Sequence, residues 1–103
     1  MQQTQSTGQC QKVFETIGDY WALRIVVAIA KKEVRFCALE RALTSVNPVT
    51  LTSRLKSLEG TGLLVKTKET PECPFPGYKL TASGLKFLPL AKRIATFANE
   101  LHV

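Results

Sequence analysis

The chain of 103 residues is long enough for one domain with a modest hydrophobic core and too short for two such domains. Hydrophobic residues make up 45% of it and charged residues 21%, an ordinary globular composition that excludes a wholly disordered chain. It carries 14 Lys and Arg against 8 Asp and Glu, which gives a net charge of +6. This excess favours a polyanionic partner without requiring one, because many small basic proteins bind no nucleic acid.

The sequence shows no export signal and no membrane span. Its first nine residues, MQQTQSTGQ, are polar and lack the apolar segment of a secretory signal. The longest apolar run, about 22–30, is interrupted by Arg24 and is far too short to cross a bilayer. We therefore predict a cytoplasmic protein that makes no membrane contact.

The sequence contains no pattern typical of a metal site or of catalysis. An odd number of cysteines with irregular spacing predicts no disulfide framework, and no paired short spacing indicates zinc. A Gly-rich phosphate loop and a nucleophile with a His partner are both absent, so we expect neither an enzyme nor a bound cofactor. The residues weighed for these roles are Cys10, Cys37, Cys73 and His102.

The first half of the chain is predicted to be helical. Residues 1–9 are rich in Gln, Thr and Ser and are expected to form a flexible arm, which leaves residues 10–103 as a single domain. A short first helix is predicted to end near Gly18. A second helix, from about Tyr20 to Lys31, is apolar nearly all round, which is typical of a central buried helix. A short extended segment and a third helix follow, before a turn over residues 44–46.

The most informative stretch begins at Asn47-Pro48, a strong helix start because Asn caps free amides and Pro suits the first helical position. Leu51, Leu55 and Leu58 then recur at the spacing of one buried helical stripe. A helix with this apolar side, and with hydroxyls and cations on the other, suits the DNA major groove when it follows another helix closely. The alternative is an ordinary surface helix, and spacing alone does not separate the two. The outer positions are Thr50, Thr52, Ser53, Arg54 and Lys56.

A basic hairpin is predicted directly after this helix. Residues 63–68 are extended, with Lys66 and Lys68 two apart and therefore on one face of a strand. Residues 70–77 contain three prolines, which cannot donate to a ladder, and are expected to form a stiff hairpin tip. Residues 77–80 return as a strand. The order predicts a mainly α winged helix-turn-helix fold with a two- to three-stranded antiparallel sheet.

A long last helix is predicted after a cap at Thr81, with Pro89 interrupting its hydrogen bonds. We expect this helix to have no place in a compact monomeric core and to form a two-fold contact with its own copy. The alternative is that it packs back onto the first helix of the same chain. The predicted contact residues are Phe14, Leu85, Leu88, Ile94, Phe97 and Leu101.

Several motifs are shared with a known family. They are Ile17-Gly18-x-x-Trp21, Arg35-Phe36-x-x-Leu39, Asn47-Pro48-x-x-Leu51-Thr52-x-Arg54-Leu55-x-x-Leu58-Glu59-x-x-Gly62-Leu63, Pro71-Glu72, Tyr78-x-Leu80-Thr81-x-x-Gly84 and Leu88-Pro89. In these the chain, from about Val13 to Leu101, resembles the HxlR-type (DUF24) branch of winged helix transcriptional regulators, which is related to the MarR group. The resemblance implies a homodimer on palindromic operator DNA, with the first and last helices forming the dimer contact.

The resemblance also implies which residues contact double-stranded DNA. The helix over about 47–60 would enter the major groove, and the wing over about 65–80 would lie on the backbone. Cations would bind phosphates, whereas hydroxyls and Val49 would contact base edges and so distinguish the base pairs. The predicted DNA-contact residues are Arg35, Asn47, Val49, Thr50, Thr52, Ser53, Arg54, Lys56, Lys66 and Lys68.

The chain departs from the family pattern at three places. Val49 stands where the family usually has a Lys, and the wing is about one residue shorter, without a basic residue at its tip. Members of the group that sense oxidants use a cysteine thirteen residues before Trp21, which falls on Gly8 here. Cys10 is either a shifted redox sensor or a residue in a loose arm.

Two functional alternatives remain open from the sequence. A winged helix can bind protein without specific DNA readout, in which case binding should depend little on salt. A small-molecule effector in the dimer crevice is neither supported nor excluded, because no polar cluster indicates one.

Overall fold

The structure, a computed structural model, describes residues 7–69 and 75–102. Helices surround a small antiparallel sheet, and the predicted mainly α winged helix-turn-helix architecture is confirmed. No helix in these two ranges is both long enough and apolar enough to span a membrane. The elements in chain order are α1 (Thr7–Ile17), α2 (Tyr20–Ile29), β1 (Val34–Arg35), α3 (Phe36–Ala42), α4 (Pro48–Gly60), β2 (Leu64–Lys66), β3 (Gly77–Leu80) and α5 (Ala82–His102).

The helix α1 begins earlier than the sequence suggested. It starts at Thr7, so residues 7–9 are helical rather than part of a loose arm, and residues 1–6 lie outside the described residues. The predicted end near Gly18 is confirmed, since the Gly18 amide donates to the Phe14 carbonyl at 2.9 Å.

The helix α2 lies at the centre of the core. Asp19 caps it, because its carboxylate accepts from the Ala22 amide at 2.9 Å. Ile25, Val26 and Ile29 are completely buried, which confirms the expected central helix. The helix ends two residues before Lys31, because Ala30 adopts a positive φ of 49° that α-helical backbone does not allow.

The three strands form one sheet in the order β1-β3-β2, with Leu64 opposite Leu80 and Val34 opposite Tyr78. β2 is shorter than predicted and ends at Lys66, so Lys68 lies beyond the ladder. Most of the predicted hairpin tip, residues 70–74, lies outside the described residues.

The phenol of Tyr78, on β3, is buried against the core. The residue is 6% exposed, and burial, with a smaller contribution from the charge of Glu59, raises the pKa of Tyr78 above its usual value. A raised pKa in the folded state favours the neutral phenol. Its contribution to stability is therefore complete below about pH 10 and is lost as the pH rises through the raised pKa.

The helix α5 is divided between core and surface, which corrects the expectation that it lies outside the core. Phe87, Leu88 and Ala91 are buried against α2 and the sheet, whereas residues 92–101 are exposed. Leu88, at 4% exposure, was wrongly assigned to the dimer contact, because it faces the core of its own chain. The helix runs without a break through Pro89.

The start of α5 requires a glycine. The Thr81 hydroxyl accepts from the Gly84 amide at 3.1 Å, which confirms the predicted cap. A Cβ at Gly84 would lie 2.2 Å from the Leu63 carbonyl oxygen and 3.0 Å from Leu80 Cβ. The start of α5 therefore lies in close contact with the backbone of Leu63, in the turn between α4 and β2.

We expect Gly84→Ala to lower the free energy of unfolding by about 1–3 kcal/mol, as other overpacked sites do. Gly60→Ala is the matched control, because a Cβ there meets nothing within 4 Å. The control should be neutral or more stable by about 0.4–1 kcal/mol, since Ala restricts the unfolded chain. Urea denaturation of both variants measures the difference, and equal midpoints would contradict the close approach.

Candidate nucleic-acid interface

The helix α4 starts where the sequence predicted. Asn47 is extended at φ −89° and ψ 157°, and its Oδ1 accepts from the Thr50 amide at 2.8 Å. Pro48 follows in the first turn, where its missing N–H is no loss. The cap uses one of the two lone pairs of Asn47 Oδ1 and neither of the Nδ2 donors.

The two sides of α4 are sharply different. Leu51, Leu55 and Leu58 are at most 1% exposed, so the predicted apolar stripe is confirmed as a core face. Val49 is 78% exposed, so its methyl groups are accessible to another molecule. The polar neighbours on this outward face are exposed or half-buried: Asn47, Thr50, Thr52, Ser53, Arg54 and Lys56.

Arg54 on this face is held by the chain itself. Its Nε donates to Asp19 Oδ2 at 2.8 Å, and the same carboxylate caps α2. The Arg54 side chain remains 35% exposed, and its Nη1 lies 3.5 Å from Ser53 Oγ. The contact joins α4 to the start of α2 and holds the guanidinium beside the Asp19 carboxylate.

The wing presents exposed lysines. Lys66, the last residue of β2, and Lys68 are both exposed. Lys79 of β3 is a third, opposite Val65 on the solvent side of the sheet, and sequence reasoning missed it. The signal was available, because Lys79 alternates with the buried Tyr78 and Leu80 as a half-buried strand requires.

Arg35 takes a different position from these lysines. Its Nη1 donates to the Lys68 carbonyl at 2.8 Å and to the Phe75 carbonyl at 3.3 Å. Its Nη2 lies 3.6 Å from Glu33 Oε2, and the side chain is 27% exposed. Arg35 is therefore occupied with backbone groups of its own wing.

An exposed apolar row runs along the free half of α5. Ile94, Phe97 and Leu101 are 44%, 59% and 72% exposed, and Leu90, which the sequence analysis omitted, is 55% exposed. Two further predicted dimer residues are also exposed: Leu85 is 45% exposed on α5, and Phe14 is 67% exposed on α1.

The cysteines give no support to a metal site. Across residues 7–69 and 75–102, no three His, Cys, Asp or Glu residues lie close enough to hold a metal ion. Cys37 is half-buried with a free thiol. Cys10 lies in α1, but its side chain, like the whole of Cys73, lies outside the described residues, so the redox role of Cys10 stays a prediction.

Comparison with known proteins agrees with this architecture. Residues 16–102 match the HxlR-like helix-turn-helix family. The uncharacterized HTH-type transcriptional regulator YvaP of Bacillus subtilis (strain 168) is 31% identical over 101 residues, which cover 97% of this chain and 93% of that protein. A second regulator of this type, BH0655 of Halalkalibacterium halodurans, is 36% identical over 80 residues, or 76% of this chain and 70% of that protein.

A solved structure extends the comparison to three dimensions. A MarR-family transcriptional regulator from Porphyromonas gingivalis W83 is similar with a TM-score of 0.75 at 35% identity, covering 88% of this chain and 89% of that one. The family match covers residues 16–102, and the structural match covers 88% of the chain. The chain therefore belongs to the HxlR-like helix-turn-helix family and is a DNA-binding transcriptional regulator, not an enzyme.

Proposed function

We propose that two copies of this chain bind palindromic operator DNA, each placing α4 in the major groove and its wing on the adjacent backbone. The observation that carries this proposal is the outward face of α4. Its apolar side is used up in the core, whereas Val49, Thr52, Ser53 and Lys56 on the other side are exposed to solvent. In helix-turn-helix proteins, the residues near the N-terminus of the recognition helix contact base edges in the major groove. The short side chains at the capped start of α4 suit such contacts.

The chemistry of this face limits what it can read. The Asn47 oxygen accepts from the Thr50 amide, so one of its two lone pairs is used by the cap, whereas the Nδ2 donors of Asn47 are left for a base contact. Its donors suit the acceptors of guanine, or O4 of thymine. Val49 offers methyl groups that suit a thymine methyl, whereas Thr52 and Ser53 can donate or accept and so discriminate less.

The cations would position the protein on the DNA backbone and would not select the base sequence. Arg54 and Lys56 on α4, with Lys66 and Lys68 on the wing, place positive charge on both sides of the reading face. Contacts from such groups to phosphates release counterions and make affinity fall steeply with salt. The dimer contact is supported by the exposed row on α5, since an apolar stripe on one protomer matches its own copy across a two-fold axis.

We expect selection from random duplex DNA to return a palindrome whose half-sites lie about 10–10.5 base pairs apart, or a multiple of this, as two-fold helix-turn-helix readers require. Affinity for that duplex should fall linearly on a log–log plot against salt concentration. Lys56→Ala should reduce the slope by about 1.8, because two phosphate contacts are lost per dimer at about 0.9 each.

The control for this slope is Lys86→Ala, which removes an exposed lysine on α5 outside the predicted contact set. Its slope should equal that of the parent protein. Binding that depends little on salt, together with no enriched sequence, would overturn the proposal in favour of a winged helix that docks on protein.

We expect Arg54→Ala to weaken binding to operator and unrelated duplexes alike, by roughly 1.5–3 kcal/mol per lost charged hydrogen bond. The matched variant is Asp19→Asn, which keeps a good cap for α2 but removes the anionic partner of Arg54. Fluorescence anisotropy measures both affinities. If Arg54 touches phosphate, Arg54→Ala loses far more affinity than Asp19→Asn; equal losses would show that Arg54 acts only through its intramolecular pair.

We expect Phe97→Asp to convert the dimer to a monomer near the chain mass of 11.4 kDa, because a carboxylate would be buried in the apolar contact. Asn99→Asp adds the same charge at an exposed position on another side of α5 and should leave the dimer intact. Sedimentation equilibrium separates these outcomes. Truncation before Leu85 is unsuitable as a test, since it would also remove Phe87, Leu88 and Ala91 from the core.

A further inference from the structure

The wing is held at its base by side chains as well as by its ladder. β2 ends at Lys66 and β3 begins at Gly77, and a backbone hydrogen bond joins the limbs just past β2, from the Thr67 amide to the Gly77 carbonyl at 2.8 Å. Beyond this point, the described contacts between the limbs include those made by Arg35. Its Nη1 donates to Lys68 on one limb and to Phe75 on the other, at 2.8 and 3.3 Å.

The surroundings of Arg35 hold the guanidinium in that place. Glu33 Oε2 lies 3.6 Å from Arg35 Nη2 and also accepts a hydrogen bond from the Thr67 hydroxyl. One carboxylate therefore ties the arginine to a wing limb. Gly77 leaves the room for this arrangement, since a Cβ there would lie 2.6 Å from Thr67 Oγ1 and 2.7 Å from Glu33 Oε2.

Phe36, the residue after Arg35, also contacts the returning limb of the wing. The Phe36 amide donates to the Pro76 carbonyl at 3.3 Å, and the Phe36 ring stacks on Phe75 with centroids 6.4 Å apart. Two successive residues at the β1–α3 junction thus contact the returning limb of the wing.

We propose that Arg35 is a positioning residue that clamps the two limbs of the wing, and not the phosphate ligand that its sequence motif implies. Its role in DNA binding would be to fix Lys66 and Lys68, whose charges are exposed. The carbonyl contacts and the Glu33 carboxylate engage the guanidinium within the chain, whereas a phosphate ligand needs free donors directed outward. This proposal rests on the proposed function only for its effect on DNA.

The first test is amide hydrogen exchange in the free protein, which needs no DNA. In Arg35→Ala the Thr67 amide should exchange at least about tenfold faster. Without the Arg35 contacts, the free energy needed to open the two limbs locally is lower. The Leu63 amide, which donates to Leu58 in the helix-end turn at 3.0 Å, is the internal control for global stability and should be unchanged. Unchanged exchange at Thr67 would overturn the clamp.

The second test is a double-mutant cycle on operator affinity. Arg35→Ala should weaken binding about tenfold in the parent, and by less than about twofold where Lys66 and Lys68 are already Ala, because positioning has no effect once the positioned groups are gone. Arg35→Lys should behave like Arg35→Ala, since a single ammonium nitrogen cannot take the place of both Nη1, which reaches the two carbonyls, and Nη2, which lies beside Glu33.

A direct phosphate contact gives the opposite results. The effect of Arg35→Ala would then be equal in both backgrounds, Arg35→Lys would retain most of the affinity, and the proposal would fail. If the lysine variants leave DNA affinity unchanged while Thr67 exchange accelerates in Arg35→Ala, the clamp stands and the wing part of the proposed function fails.

Discussion

The contact between the leucine side of α4 and the core around α2 constrains everything that the outward side presents. Leu51, Leu55 and Leu58 are essentially inaccessible to solvent, and burying each side chain stabilises the fold by about 1.5–3 kcal/mol. Because successive helical residues differ by about 100°, turning α4 far enough to hide Val49 would expose a leucine. The packing therefore fixes the rotation of the helix, and with it which side chains can meet DNA.

The basic residues near this surface divide into two kinds. Arg54 and Arg35 are engaged by their own chain, through Asp19 in one case and Glu33 with wing carbonyls in the other. The lysines, among them Lys56, are exposed. A paired arginine contributes less to the long-range field but places its donors more accurately, whereas a free lysine acts as a flexible point charge. We infer that the arginines organise the surface and the lysines supply most of its electrostatic attraction.

The last helix shows how one element serves two purposes. Its first half is needed for folding, since Gly84 meets the Leu63 carbonyl and Phe87 and Ala91 complete the core. Its second half is exposed and carries the apolar row that includes Phe97. A rigid connection between them would hold any partner on the second half at a set distance from α4. Half-site spacing on DNA would follow from that geometry.

Local signals in the sequence were enough for the architecture and for the division of α4 into an inner and an outer side. Asn47-Pro48 marked the start of α4, three leucines marked its inner side, and the prolines and lysines after it marked a wing. These signals are reliable because capping, helical period and proline chemistry act within a few residues. The match to a known family followed from the same short motifs.

The pairing of charges and the division of α5 came only from the folded chain. Asp19 and Arg54 are 35 residues apart, and Arg35 and Lys68 are 33 apart, so no periodicity relates them. Leu85 and Leu88 are three residues apart on one side of α5, yet the position of α2 and the sheet buries Leu88 and leaves Leu85 45% exposed. Contacts between distant segments depend on how whole elements pack against each other. The residue pattern within one helix or strand does not specify its partner elements.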